Sequence, residues 1–110
     1  MTRIPRTWMR GAGPLAVLKL LAEREMYGYE LAEALDRESD GVLALGHSTL
    51  YPLLYNLESK GLISHRATRV AQGRPRKYYG ATPVGRAWLE ENEARWGELV
   101  AAMGKIGFQA

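Results

Sequence analysis

His47 and Ser48 stand side by side, an imidazole next to a hydroxyl, and are the first place to look for covalent chemistry. A base activates a hydroxyl only where the two side chains converge and a third group orients the ring. Neighbours at the start of a helix point apart, and no acid is spaced to hold this imidazole. No glycine-rich loop follows a strand to cradle a phosphate. The other histidine, His65, is not at a helical ligand spacing from His47, no carboxylate cluster accompanies either, and the chain has no cysteine. The pattern predicts no enzyme, no metal centre and no cofactor.

The residues that do form a pattern suit a duplex. At about 100° per residue, Leu50, Leu53, Leu54 and Leu57 share one arc of a helix, and Ser48, Tyr51, Pro52, Tyr55, Asn56 and Ser59 share the other. Tyrosines and hydroxyls on a solvent face can reach phosphates and base edges. Proline is tolerated only near a helix start, so Pro52 puts the start near Ser48, where free N–H groups favour a phosphate. Tyr29, His47, Ser48, Thr49, Tyr51, Pro52, Tyr55 and Asn56 are the candidate DNA-facing residues here. The bland reading of the two tyrosines is that they cover neighbouring core.

A cationic stretch follows. Arg66, Arg69, Arg74, Arg76 and Lys77 come with no acid among them, and none lies between Glu58 and Glu90 to neutralise them. Gly73-Arg74-Pro75-Arg76-Lys77 combines a permissive glycine, a stiff proline and cations. Glycine lets backbone approach a duplex closely, and arginine favours narrow minor grooves. Arg74, Arg76 and Lys77 are the candidate contacts. A local basic stripe on a chain of formal net charge only +3 is the electrostatic footprint of nucleic-acid binding. RNA is the poorer match, because the hairpin lacks the stacked aromatics of sheet-based RNA readers.

The elements that must position these residues can be read in order. The first dozen residues form a basic arm or short helix, and Gly13-Pro14 opens a first core helix with Leu15, Leu18 and Leu21 inward. A second helix runs from about Tyr29 to Arg37 and ends in Ser39-Asp40-Gly41. Val42 to Leu45 reads as a short extended stretch before the third helix, which stops at Lys60-Gly61. Leu62 to Ala67 and Lys77 to Ala81 make a hairpin with a basic tip. Thr82-Pro83 then caps and opens a long helix reaching about Met103. Three helices, a hairpin and a long helix give a mainly α fold with a small β-hairpin. That connectivity is a winged helix-turn-helix over residues 1–81, followed by a C-terminal helix over residues 82–110.

Chain length and composition agree with one globular domain: 110 residues, 46% hydrophobic and 25% charged. No apolar run is long enough for a bilayer and the start lacks a signal-peptide core, so a soluble, cytoplasmic protein without membrane contact is expected. Trp88, Leu89, Trp96, Leu99, Val100 and Met103 fall within about 120° of the last helix. A small three-helix core cannot cover so long a stripe. Leu89, Trp96, Leu99, Val100 and Met103 are therefore expected to form a homodimer interface, as helix-turn-helix proteins read two-fold sites in pairs. The alternative is a winged-helix module whose exposed tyrosines bind protein rather than DNA.

Tyr27-Gly28-Tyr29-Glu30-Leu31, the run from Thr49 to Ile63, and Gly73-Arg74-Pro75-Arg76-Lys77-Tyr78-Tyr79 with Thr82 and Gly85 resemble the PadR family of transcriptional regulators. The match spans nearly the whole chain in order. It implies a winged helix with a C-terminal dimerisation helix, usually in a repressor. The short length resembles members that respond to multiple drugs, in which a planar hydrophobic effector stacks between paired tryptophans at the dimer centre. That resemblance assigns the stack to Trp96 and the surrounding wall to Trp8, Leu15, Lys19, Leu89, Asn92, Glu93 and Val100. Trp8 is bulkier than the usual aliphatic residue, and Lys19 and Glu93 bring charge where drug-binding members are more neutral. Two readings of the centre stay open: a stacking site between Trp96 rings, or one that Trp8 fills.

Overall fold

The computed structural model describes residues 4–69, 73 and 75–109. Its elements in chain order are α1 (Arg6–Glu23), β1 (Met26–Tyr27), α2 (Gly28–Glu38), α3 (His47–Ser59), β2 (Ile63–Arg69), β3 (Pro75–Ala81) and α4 (Pro83–Lys105). The strands form one antiparallel sheet in the order β1-β3-β2.

Three local expectations need correction. The first core helix does not open at Gly13-Pro14: α1 begins at Arg6 and runs through Pro14. Proline removes one amide donor from a helix interior, and here burial of Met9 at one end and Val17, Leu18 and Leu21 at the other holds a single helix across the gap. Second, Val42 to Leu45 is not extended strand; Val42 and Leu43 belong to a turn at residues 39–43, and Ala44 and Leu45 lead irregularly into the next helix. Ser39 shapes that turn, its hydroxyl donating to the Leu35 carbonyl (2.6 Å) and accepting from the Leu43 amide (2.8 Å). Third, the sheet has a third strand. Met26 pairs with Tyr79 and Tyr27 with Tyr78, so the break between the first two helices is itself a strand edge.

The helix ends follow their residue types. Glu30 reaches back to the Tyr27 amide at 3.1 Å, as the third residue of a capped helix does. Gly61 takes φ +76° just past α3, the left-handed position that stops a helix. Thr82 accepts from the Gly85 amide at 2.9 Å, with Pro83 as the first helical residue. The Thr82 hydroxyl also lies 2.7 Å from the Gly61 carbonyl, so one side chain joins the end of α3 to the start of α4.

The core is one apolar cluster drawn from every helix and the sheet: Val17, Leu18, Leu21, Met26, Leu31, Leu35, Leu50, Leu54, Leu57, Ile63, Tyr79 and Leu89 are among its buried members. Two close approaches seat the helices. A Cβ on Gly13 would meet Leu53 Cδ1 at 2.9 Å, and the Leu62 carbonyl oxygen sits where a Cβ on Gly85 would have to go. Only the first part of α4 joins this core. From Glu93 onward every described residue is exposed. The radius of gyration, 15.0 Å, exceeds the roughly 13 Å of a compact chain this long, because the far half of α4 stands clear of the body.

Gly85→Ala is expected to lower stability by about 1–3 kcal/mol, since backbone rather than a flexible side chain must yield. Gly11→Ala, in open space on α1, should instead be neutral or stabilising by up to about 1 kcal/mol. Urea unfolding of the two variants separates these outcomes.

Candidate nucleic-acid interface

Burial of Leu50, Leu54 and Leu57 at 3% exposure or less turns the opposite side of α3 outward. His47, Ser48, Thr49, Tyr51, Pro52, Tyr55 and Asn56 are all exposed, with Tyr51 at 44% and Tyr55 at 72%. The helix starts at His47, one residue before the expected start, and carries Pro52 within it on this open side. His47 stacks on Tyr51, with centroids 5.5 Å apart and planes at 15°. Its ring also lies 6.4 Å from that of Tyr29 at the head of α2. The ring of His47 is thus packed among aromatics instead of paired with the Ser48 hydroxyl. Gly28 is what allows this: the Tyr51 hydroxyl fills the space a Cβ there would need. The helix-turn-helix therefore presents Tyr29, His47, Tyr51 and Tyr55 as one aromatic surface with hydroxyls at its edge.

The hairpin is tied to α3. His65 Nδ1 on β2 is 2.5 Å from a Glu58 carboxylate oxygen, and the His65 ring lies 5.7 Å from that of Tyr79. Burial pushes the Tyr79 phenol above its ordinary value of 10.0, with Glu58 and Tyr51 adding to the shift. The other sheet face holds an ordered row. Arg76 lies over the Tyr27 ring at 4.3 Å, Tyr27 meets Tyr78 edge-on at 5.5 Å, and Arg66 lies over Tyr78 at 5.2 Å. Strand alternation accounts for the grouping: positions 76 and 78 share one face of β3, and 77 and 79 the other.

This row corrects two expectations. The cationic stretch does have an acid, because Glu25, ahead of β1, forms an ion pair with Arg66 at 2.8 Å and holds the guanidinium more firmly protonated than usual. Nearness in sequence had hidden a partner 41 residues away. Aromatics are also present on this sheet face, Tyr27 and Tyr78, but an arginine covers each. Arg76 and Lys77 are exposed, and Arg69 donates to the Gly73 carbonyl at 2.9 Å. Arg74 lies outside the described residues. The missed residues are Glu25, Tyr27 and Tyr78; the only signal for them was the Met26-Tyr27 break, whose pairing with β3 is long-range.

The proposed ligand wall divides. Leu15, Lys19, Leu89, Glu93 and Trp96 line a groove of about 270 Å³ between α1 and α4, together with Ala12, Ala16 and Leu43, which the residue pattern did not single out. Trp8, Asn92 and Val100 do not line it: Trp8 is exposed at 66% and Asn92 donates to the Trp88 carbonyl at 2.9 Å. Lys19 and Glu93 pair at 2.8 Å, which raises the Lys19 ammonium further above its usual range and leaves the groove with a neutralised pair instead of two free charges. Of the residues expected at a dimer interface, Leu89 is already 7% exposed within its own chain, while Trp96, Leu99, Val100 and Met103 remain open. Ile106 and Phe108 extend that strip at 73% and 60% exposure.

A family model, the transcriptional regulator PadR-like family, matches residues 17–91, from the middle of α1 to the start of the open part of α4. The chain belongs to that family. Transcriptional regulator Rv3488 of Mycobacterium tuberculosis is 39% identical over 94 residues, 86% of this chain and 84% of that protein. The crystal structure of a PadR family transcriptional regulator from Eggerthella lenta superposes with a TM-score of 0.80 at 36% identity, over 91% of this chain and 85% of that one. A transcriptional regulator from Clostridium thermocellum gives 0.84 at 25% identity, over 93% and 99%. This PadR protein is accordingly a transcriptional regulator and not an enzyme, and the expected winged helix-turn-helix is its fold. Among the described residues no helix is long and apolar enough to cross a membrane.

The buried Tyr79 phenol gives an alkaline prediction. A group whose value is raised on folding adds stability that is complete below its unfolded value and lost as pH rises through the folded one. Stability should therefore fall above pH ~10, and Tyr79→Phe should flatten that fall in denaturation curves taken across the range. An equal fall in both proteins would contradict the assignment.

Proposed function

We propose that this PadR-like regulator binds a two-fold duplex site as a homodimer and represses transcription from it. The observation that carries this reading is the pairing of an open aromatic and hydroxyl face on α3 with a hairpin whose exposed cations include Arg76 and Lys77. Tyr29, His47, Ser48, Thr49, Tyr51, Tyr55 and Asn56 meet base edges and phosphates in the major groove, with Pro52 among them on the same exposed side. Arg74, Arg76 and Lys77 meet the adjacent backbone or minor groove.

The open strip on α4 supports a second copy as the mate. Trp96, Leu99, Val100, Met103, Ile106 and Phe108 are 37–73% exposed, and a contiguous apolar surface of this kind on a small protein marks an interaction site. Residues 1–81 act as the DNA-binding unit and residues 82–110 as the dimer-forming helix, whose first turns are rooted in the same core. The groove beside Trp96, about 270 Å³, is smaller than the roughly 300–1,000 Å³ of a drug-sized site. A planar hydrophobic effector is therefore held only once the second copy completes the walls and Trp96 stacks on it. Occupation alters the angle between the two halves and so the fit to half-sites at fixed spacing, by as much as the effector's preference for one arrangement.

Selection of bound fragments from the host genome, followed by affinity measurement across salt concentrations, tests the DNA reading. Arg76→Ala/Lys77→Ala should weaken binding to all sequences and reduce the salt slope by about 0.9 for each phosphate no longer neutralised. Tyr55→Ala should cost about 1–3 kcal/mol if Tyr55 touches a base, and relax discrimination. Unchanged affinity and slope in the double variant would favour a protein-binding module. Trp96→Ala/Leu99→Ala should shift the sedimentation profile from dimer to monomer. A planar hydrophobic cation should quench tryptophan fluorescence in the parent and much less in Trp96→Phe; equal quenching would remove Trp96 from the effector site.

A further inference from the structure

Arg66 is the one cation of the hairpin, among the described residues, that a carboxylate of the fold itself neutralises. Its Nε and Nη2 both approach Glu25 Oε1 at 2.8 Å, and its guanidinium lies over the Tyr78 ring. The carboxylate is built into place. Glu25 precedes β1, whose pairing with β3 fixes the backbone beside Tyr78 and Tyr79, and its stem lies across Gly80, where a Cβ would stand 3.2 Å from the Glu25 Cγ. A side chain at position 80 would crowd that stem. Arg76, on the same sheet face, rests on Tyr27, and among the described residues neither Arg76 nor Lys77 has an ion-pair partner.

We infer that Glu25 takes the place of a phosphate on Arg66 and withholds that arginine from DNA, so that the wing's sequence-independent attraction is set by Arg74, Arg76 and Lys77 while Arg66 is masked. This rests on the DNA-binding reading above and adds a residue, Glu25, that governs how tightly the wing holds any duplex. A phosphate bond to Arg66 would require the carboxylate to be displaced, which cancels most of what that bond adds. The consequence is a regulator with a smaller non-specific attraction, and therefore a larger share of its binding free energy drawn from the α3 face, where base readout resides.

The test is a double-mutant cycle read on a fluorescent duplex of arbitrary sequence, about 30 base pairs long so as to hold two half-sites one turn apart. Glu25→Gln should tighten binding by roughly two- to fivefold, the scale of one exposed ion pair. It should also steepen the salt slope by about 0.9 for each Arg66 that gains a phosphate. Glu25→Gln/Arg66→Gln replaces a neutral pair by two neutral groups, and should return both quantities to the wild-type values. The inference fails if Glu25→Gln leaves affinity and slope unchanged. It fails equally if the gain persists without Arg66, which would make Glu25 a general repulsive charge, or if the double variant binds more weakly with a shallower slope, which would mean that Arg66 already reaches DNA. Wild-type protein showing no salt-dependent binding to the duplex would overturn the DNA-binding reading itself, an outcome distinct from a wild type that binds and a cycle that is flat.

Discussion

Leu50, Leu54 and Leu57 anchor the surface on which the proposed DNA contact depends. Their burial fixes the rotation of α3 about its axis, and the helical period then leaves Tyr51, Tyr55 and Asn56 no direction but outward. The same anchoring fixes the hairpin, because Glu58 on α3 holds His65 on β2, and β2 carries β3 through a continuous register from Ile63–Ala81 to Arg69–Pro75. Helix and wing are thus oriented by one core. Loss of packing at Leu54 would disturb both without touching an exposed residue.

α4 joins two tasks in one helix. Its first turns are held by the Thr82 cap, the close seat of Gly85 on Leu62, and Arg86, which donates to the last-turn carbonyl of Ala22 on α1 at 2.9 Å. Its far half bears Trp96 to Met103 on a surface that its own chain does not cover. Since α1 and α4 also share the Lys19–Glu93 pair and the groove between them, whatever packs on the far half of α4 borders that groove. The far half joins the winged helix through helical turns seated in the core by Gly85 and Leu89 rather than through a linker.

How much of this was legible in the sequence depended on the range of each interaction. The α3 faces followed from period alone, and Thr82-Pro83 and Gly61 marked helix ends because capping chemistry is local. Pro14 misled, since a proline in a helix is judged by its neighbours while its tolerance here comes from core packing on either side. The β1 strand was invisible: two residues carry no alternation pattern, and their partners lie on β3. For the same reason Arg66 and Arg76 read as free, when Glu25 and the rings of Tyr27 and Tyr78 were waiting across the sheet. The groove between α1 and α4 was half foreseen through family resemblance, but that pattern could not separate residues facing the groove within one chain, such as Leu15, from those turned away from it, such as Trp8.

A paired α3 and wing engaging a two-fold duplex is the arrangement on which everything else rests, and hydroxyl-radical footprinting on a genomic fragment selected by the protein reads it directly. Two symmetric protected patches are predicted, with centres about 10 base pairs apart or a multiple of that, flanked by weaker protection where the wings lie. A single asymmetric patch, or protection with no repeat at the helical period, would contradict it.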